Sequence, residues 1–287
     1  MKLHNGREVA VHTVVEGTAD RTVVLCHSAP GAGNFDPDPE ATWARGVTLL
    51  SVDRPGYGRS DPVKARDWAT VGAAADDLAE VLDNLGVESV GVAGWSAGGR
   101  VALALAARRP DLVDRLVVIA TPAPDEALPW IPPAQREGLE ALRGRSPKYA
   151  RDALTEQLAP AVPSDPADAF ALLGITDADE GALARPYARQ QLTAMLGQAF
   201  AQGPAGMIAD IVGYCLQPWG FDLADVRAKT LLFYGAKDPI AGPRHGKWYK
   251  TQLADARYAQ VPDAGHLAVM LIWKQALSHL APHHRRA

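Results

Sequence analysis

The feature that most restricts this chain's fold is an alternation of short β-branched runs with longer helical patterns, broken once by a long strandless stretch. Thr22 to Cys26 (TVVLC), Gly46 to Val52, Ser89 to Ala93 and Arg115 to Ala120 read as buried strands, with Glu8 to Val15 as an edge arm. Between them, Val71, Leu78, Leu82 and Leu85 fall at helical spacing ahead of Gly86, and Ala97 to Arg108 reads as a small-residue helix closed by Pro110. Parallel neighbours need a crossover connection, so this order predicts an α/β fold with a mostly parallel central sheet flanked by helices. From Thr121 to about Ala228 the pattern is helical only: Lys148 to Leu158, Pro166 to Leu173, Tyr187 to Phe200 and Met207 to Leu216, divided by Pro and Gly. Strand rhythm resumes at Thr230 to Tyr234 and Ala256 to Val261, and a last helix covers Leu267 to Leu280. So long an interruption is no ordinary loop. Residues 1–121 and 229–287 are therefore expected to form one sheet domain, and 122–228 a helical insertion.

Composition narrows the class further. A chain of 287 residues fits one large α/β domain or a core of about 200 residues carrying an insertion. With 47% hydrophobic and 22% charged residues, it can build a packed core rather than stay disordered. The formal net charge of −4 offers no footprint for nucleic acid, and the basic end at Arg285 and Arg286 reads as a solvated tail. The N-terminus lacks an apolar signal-type core, and no run approaches a membrane span, so a cytoplasmic protein without membrane association is expected. Cys26 and Cys215 are far apart and Cys26 lies in an apolar run, which predicts a buried thiol rather than a disulfide. His245, His279, His283 and His284 have no partners at metal-ligand spacing, and no glycine-rich turn carries a phosphate-binding Lys. No metal and no cofactor are expected.

The chemistry-bearing motif is Gly94-Trp95-Ser96-Ala97-Gly98, followed by Gly99. It joins a predicted strand to a predicted helix, where a serine Oγ can stand clear of the sheet if its neighbours are small. A serine needs a base, and the base needs an orienting carboxylate. In the chain order Ser, acid, His, the candidates are Asp238, just past a strand in GAKD, and His266, in PDAGH at the head of the last helix. Strand ends of a parallel sheet share one edge, so the three residues are expected to converge there. Asp263 competes for the acid role and is better suited to capping the turn. Charge developing on a carbonyl oxygen needs backbone N–H donors. The residue after the serine, Ala97, supplies one, and Ala29 in the loop after TVVLC is nominated for the other. His27 is expected to orient that loop, and Asp53 and Arg54 to tie down the PGYG loop. Substrate-pocket candidates are Ser28, Trp95, Trp130, Tyr214 and Trp219; of the insertion residues Trp130, Tyr149, Phe170, Tyr187, Phe200, Met207, Tyr214 and Trp219, two or three are expected to face the site and the rest to form the insertion's own core.

Taken together, HSAPG after a strand, DRPGYGRSD, GWSAGG, GAKDP and the DAGH turn resemble the α/β-hydrolase superfamily, in that family's order and over nearly the whole chain outside the insertion. The resemblance implies an α/β-hydrolase fold, Ser96 as nucleophile, Asp238 as acid, His266 as base, and a helical cap formed by the insertion. One position departs from it: where the family has His-Gly, this chain has His27-Ser28, which adds a Cβ and a hydroxyl. The expected function is a cofactor-independent serine hydrolase that cleaves an ester, lactone or related acyl bond of a small molecule through an acyl-enzyme. A serine at the elbow argues against haloalkane or epoxide opening, for which this superfamily uses an Asp. Three alternatives are carried: a proline iminopeptidase-like amide hydrolase, because HSAPGAG is similar to that group's HGGPG loop, a non-hydrolytic lyase, and a ligand-binding member without turnover.

Overall fold

The β-branched runs fold as strands β1 (Val11–Val15), β2 (Thr22–Cys26), β3 (Thr48–Val52), β4 (Val90–Trp95), β5 (Val113–Ile119), β6 (Lys229–Gly235) and β7 (Ala256–Val261). This is a computed structural model in which residues 1–282 are described; His283, His284, Arg285 and Arg286 lie outside them. The strands make one seven-stranded sheet in the order β1-β3-β2-β4-β5-β6-β7, parallel throughout except for the antiparallel β1–β3 pair. The edge arm is shorter than expected: Glu8 makes only an isolated bridge with Lys2. β3 pairs on one side of β2 and β4 on the other, so the winding direction reverses there. Such a reversal opens a crevice at the carboxyl ends of the strands, which is where the site residues lie.

The helices are α1 (Pro39–Arg45), α2 (Val71–Asn84), α3 (Gly98–Arg108), α4 (Pro133–Glu140), α5 (Pro147–Leu158), α6 (Glu180–Leu183), α7 (Ala188–Ala199), α8 (Ala205–Ile211), α9 (Pro243–Gln252) and α10 (Ala268–Leu280). Sequence periodicity does not reveal α1, α4 or α9. Each is short, and α4 buries no residue at all, so it has no apolar face for periodicity to mark. The 166–173 stretch winds as a 3-10 helix, and Val212–Leu216 as a π-helix continuing α8. Between β5 and β6 there is helix and loop but no strand among the described residues.

Helix α3 explains its own composition. Positions Gly98 through Ala107 are all buried, because α3 is packed against β4, β5 and α2. A Cβ at Gly98 would run into the backbone carbonyl of Cys26, so glycine lets the helix start lie directly on the end of β2. Cys26 itself is buried and free, and burial pushes its thiol up to about 12. Trp95, Trp273, Tyr234 and Leu25 are among the largest side chains of the core on either side of the sheet. Among the described residues, no helix is long and apolar enough to cross a membrane.

Candidate active site

Ser96 directly follows β4 and adopts φ +54°, a left-handed conformation that costs a non-glycine residue about 1–3 kcal/mol. Neighbouring hydrogen bonds hold it there: its N–H donates to the Ile119 carbonyl at 2.8 Å, and its carbonyl accepts from Gly99 at 3.0 Å. The strained turn lifts the Oγ off the sheet edge. Asp238 lies three residues past β6 and His266 in the turn between β7 and α10. His266 Nε2 stands 2.9 Å from Ser96 Oγ, and Nδ1 stands 2.8 Å from Asp238 Oδ2. The three residues are buried and form one continuous line of hydrogen bonds. With Nδ1–H donating to the carboxylate, Nε2 is left as the acceptor for the serine hydroxyl.

Each member is fixed from behind. Asp238 Oδ1 accepts the N–H groups of Ile240 and Ala241 at 2.8 and 3.0 Å. Burial alone would raise this carboxyl, but the imidazole and those two N–H groups more than offset it and hold it below the usual carboxylate range. Burial pulls the His266 imidazole down, while Asp238 and, further off, Asp179 pull it up; the net shift is upward. The His266 carbonyl accepts the Trp95 indole N–H at 3.0 Å. Asp263, the competing acid, is exposed and pairs with Lys237 at 2.7 Å, leaving it no part in this line.

The loop after β2 is anchored with equal care. His27 Nδ1–H donates to the Ser28 carbonyl at 2.8 Å, and Nε2 accepts the Arg54 N–H at 3.2 Å. Burial, and then the Arg54 charge, push this imidazole down to about 3, so it stays neutral with a fixed tautomer. The Arg54 guanidinium donates to the carbonyls of His27 and Ser28 at 2.5 and 2.8 Å, and to both Asp210 oxygens at 3.0 and 2.6 Å. Tyr57 Oη adds a third bond to Asp210 at 2.9 Å. Arg54 thus does more than hold the PGYG loop, whose Tyr57 N–H donates to the Arg54 carbonyl at 3.0 Å: it also ties the His27 loop to α8 of the inserted segment. Asp53 accepts Gly33 N–H at 2.6 Å and faces His12 at 3.0 Å, and its carbonyl accepts the Ser60 hydroxyl at 2.6 Å. Among the described residues, neither the Ala29 nor the Ala97 N–H donates to a protein acceptor. Both residues line the same cavity as Ser96 and His266.

That cavity measures about 490 Å³ and is roofed by the segment between β5 and β6. Its walls are mainly aliphatic, with Leu154, Leu158, Leu173 and Ile211 among them. Of the aromatic and sulfur-bearing candidates, Trp130, Met207 and Tyr214 line it. Three other pocket nominations are corrected. Trp95 is fully buried under the site, its indole spent on His266. Ser28 is fully buried with its hydroxyl turned back to the Pro30 carbonyl at 2.7 Å, so its extra atoms pack inside the loop. Trp219 stacks on Phe221 and donates to the Tyr214 carbonyl at 3.3 Å, behind the cavity wall. Tyr149 and Tyr187 are exposed, and Phe170 and Phe200 pack against the main core.

Two further residues carry no sequence signal at all. Asp179 is buried, and its carboxylate accepts the Leu267 N–H at 2.7 Å and the Thr176 N–H at 3.0 Å. A Cβ at Gly265 would collide with that carboxylate, so Asp179 lies directly against the turn that carries His266. The second is Arg100, whose buried side chain reaches the cavity. Among the described residues, no group of three His, Cys, Asp or Glu is placed to hold a metal ion.

Fold and site together define a serine-histidine-aspartate arrangement at the carboxyl edge of a parallel sheet. The chain belongs to the α/β-hydrolase fold family, whose model matches residues 21–271. A 2-hydroxy-6-oxononadienedioate/2-hydroxy-6-oxononatrienedioate hydrolase of Pseudomonas sp. is 33% identical over 167 residues, or 52% of this chain and 58% of that protein. A pimeloyl-[acyl-carrier protein] methyl ester esterase of Chromobacterium violaceum is 30% identical over 236 residues, covering 81% of this chain and 82% of that one. Among solved structures, a thermophilic esterase from Thermogutta terrifontis superposes with a TM-score of 0.71 at 23% identity, covering 96% of this chain and 93% of that chain. An enol-lactonase from Burkholderia xenovorans gives 0.65 at 21% identity, with 95% and 94% covered.

Proposed function

We propose that the protein is a serine hydrolase that cleaves a carboxylic ester, lactone or related acyl bond of a small molecule through an acyl-enzyme. The observation that carries this reading is the unbroken line Ser96 Oγ, His266 Nε2, His266 Nδ1, Asp238 Oδ2, at 2.9 and 2.8 Å. His266 takes the Ser96 proton as Oγ attacks the carbonyl carbon, and the imidazolium then passes that proton to the departing oxygen. Asp238 keeps the ring in the required tautomer and balances its transient charge. The Ala29 and Ala97 N–H groups hold the oxyanion, and water, activated by the same imidazole, releases the acid and frees Ser96. Residues 122–228 act as a cap that shields the acyl-enzyme and shapes the cavity. The relatives, named as hydrolases and esterases, support hydrolysis in general.

The amide-hydrolase alternative is weakened by charge. A substrate ammonium needs a free carboxylate, whereas Asp210 in the cavity wall is bonded on both oxygens by Arg54. The test is labelling with a fluorophosphonate followed by intact mass and peptide mapping. A single adduct on Ser96, absent from Ser96→Ala, is the expected result; a folded wild type that takes no label overturns the reading.

A further inference from the structure

Among the described residues, the cavity holds a cation with no acid paired to it. Arg100 is buried, yet no carboxylate lies within ion-pair distance of it among the described residues. The nearby acids are committed elsewhere: Asp210 to Arg54, Asp125 to Arg136 at 2.8 Å, and Glu126 to Arg143 at 3.3 Å. The last two pairs line a neighbouring crevice of about 300 Å³, which Arg100, Trp130 and Tyr214 also line. A guanidinium offers five N–H donors. Here one, on Nη2, reaches the Pro122 carbonyl at 3.5 Å, the outer limit of a hydrogen bond, and the buried Nε–H has no acceptor.

Three aromatic faces surround the charge instead, with ring centroids 4.5 Å away for Tyr214, 5.1 Å for Trp219 and 5.4 Å for Trp130. Such faces soften a cation's desolvation and leave its hydrogen-bonding capacity unspent. The Trp130 indole N–H, on a residue that lines the same cavity, is likewise buried without an acceptor. A buried charge left without an acid is costly, and an anionic oxygen group reaching the guanidinium from the cavity relieves it. Arg100 is four residues past Ser96, in the first turn of α3, and both residues line the cavity. Its long side chain then sets the guanidinium several bonds away from the serine, along the cavity wall.

We propose that Arg100 is the specificity site for a carboxylate at the far end of the substrate, so that the enzyme prefers acyl compounds bearing a terminal negative charge. This rests on the hydrolase reading and names its substrate class. The aliphatic walls then take the methylene chain between the carboxylate and the scissile carbonyl.

The experiment compares kcat/KM for the monomethyl esters of succinate, glutarate and adipate with that for the matching dimethyl esters, which differ essentially in the charge. Wild type is expected to favour the monoanion by about tenfold to 100-fold at one preferred length, the range for a charge-assisted hydrogen bond. In Arg100→Met that ratio falls to about one or below, and Arg100→Lys restores part of it. Equal or better turnover of the dimethyl esters by wild type overturns the proposal, as does an Arg100→Met ratio unchanged from wild type. Should Arg100→Met fail to fold, titration calorimetry of wild type and Arg100→Lys with glutarate and with glutaramide decides. Tighter binding of the diacid, weakened by the Lys, supports the site, and equal binding of the two ligands refutes it. Absence of any ester turnover together with selective glutarate binding would instead count against the hydrolase reading alone.

Discussion

The two walls of the cavity treat their polar groups in opposite ways. On the sheet side, every group of the serine line is satisfied: Asp238 accepts three bonds, both His266 nitrogens have partners, and both His27 nitrogens are engaged. On the side where α3 meets the inserted segment, Arg100 Nε–H and the Trp130 N–H have no protein acceptor among the described residues. The difference teaches a division of labour. On the proposed mechanism, the groups that move a proton are preorganised by the fold, so no reorganisation is needed when charge develops. On the proposed specificity, the guanidinium that meets the rest of the substrate keeps bonding capacity, which is how a site rejects compounds that cannot use it.

Variants can break or sharpen this contrast. The largest effect is expected for Ser96→Ala, which should cut kcat/KM by about 10⁵–10⁶-fold in steady-state assays while circular dichroism stays native. Asp238→Asn should cost about 10⁴-fold, because an amide in its place favours the wrong imidazole tautomer. The exposed competitor provides the control: Asp263→Asn should stay within about twofold of wild type, and a deep loss there would move the acid role.

Arg54→Met probes the strut between the two walls. It leaves Asp210 buried without its cation, a change that costs about 3–5 kcal/mol and lowers the melting temperature by roughly 10 °C. By releasing the His27 and Ser28 carbonyls it should also displace the Ala29 N–H and reduce kcat by about 10²-fold.

A smaller and more diagnostic change is Asp179→Asn. The carboxylate of Asp179 helps raise the His266 pKa above its ordinary value of 6.5. Catalysis needs this imidazole neutral, so kcat/KM should rise with pH through a midpoint above 6.5 in wild type. Removing the Asp179 charge should shift that acid limb to lower pH and cost no more than about tenfold in the plateau. An unshifted limb would show that Asp179 only braces the turn. Stability runs the other way. A raised folded-state pKa stabilises fully below 6.5, and that contribution fades as pH climbs through the raised value.

How far the sequence reaches can be judged residue by residue. TVVLC, SVGVA and LVVIA are legible as parallel strands because strands buried on both faces must be apolar throughout, and that leaves a continuous run. Helix α4 is not legible, since it buries nothing and so carries no periodic stripe. Ser96, Asp238 and His266 can be found because each sits where a strand ends, and strand ends can be counted along the chain. Asp179 cannot, because the partner that gives it meaning, the Leu267 N–H, is 88 residues away on another element. Trp95 shows a subtler failure: its place beside the serine suggests a pocket wall, yet alternation along β4 turns the indole down toward His266.

By itself, then, the chain's alternation of apolar runs and helices determined the layered sheet, and its glycine-bounded turns determined which three side chains meet at the edge. Backbone periodicity is local, so it can be read in one dimension. Only the folded molecule decided that Arg54 spans from the β2 loop to α8, that Ser28 turns inward, and that Arg100 is enclosed by three rings without an acid. Those outcomes depend on which distant side chains share a small volume of low dielectric constant. There the cost of an unpaired charge is set by neighbours that sequence order does not reveal.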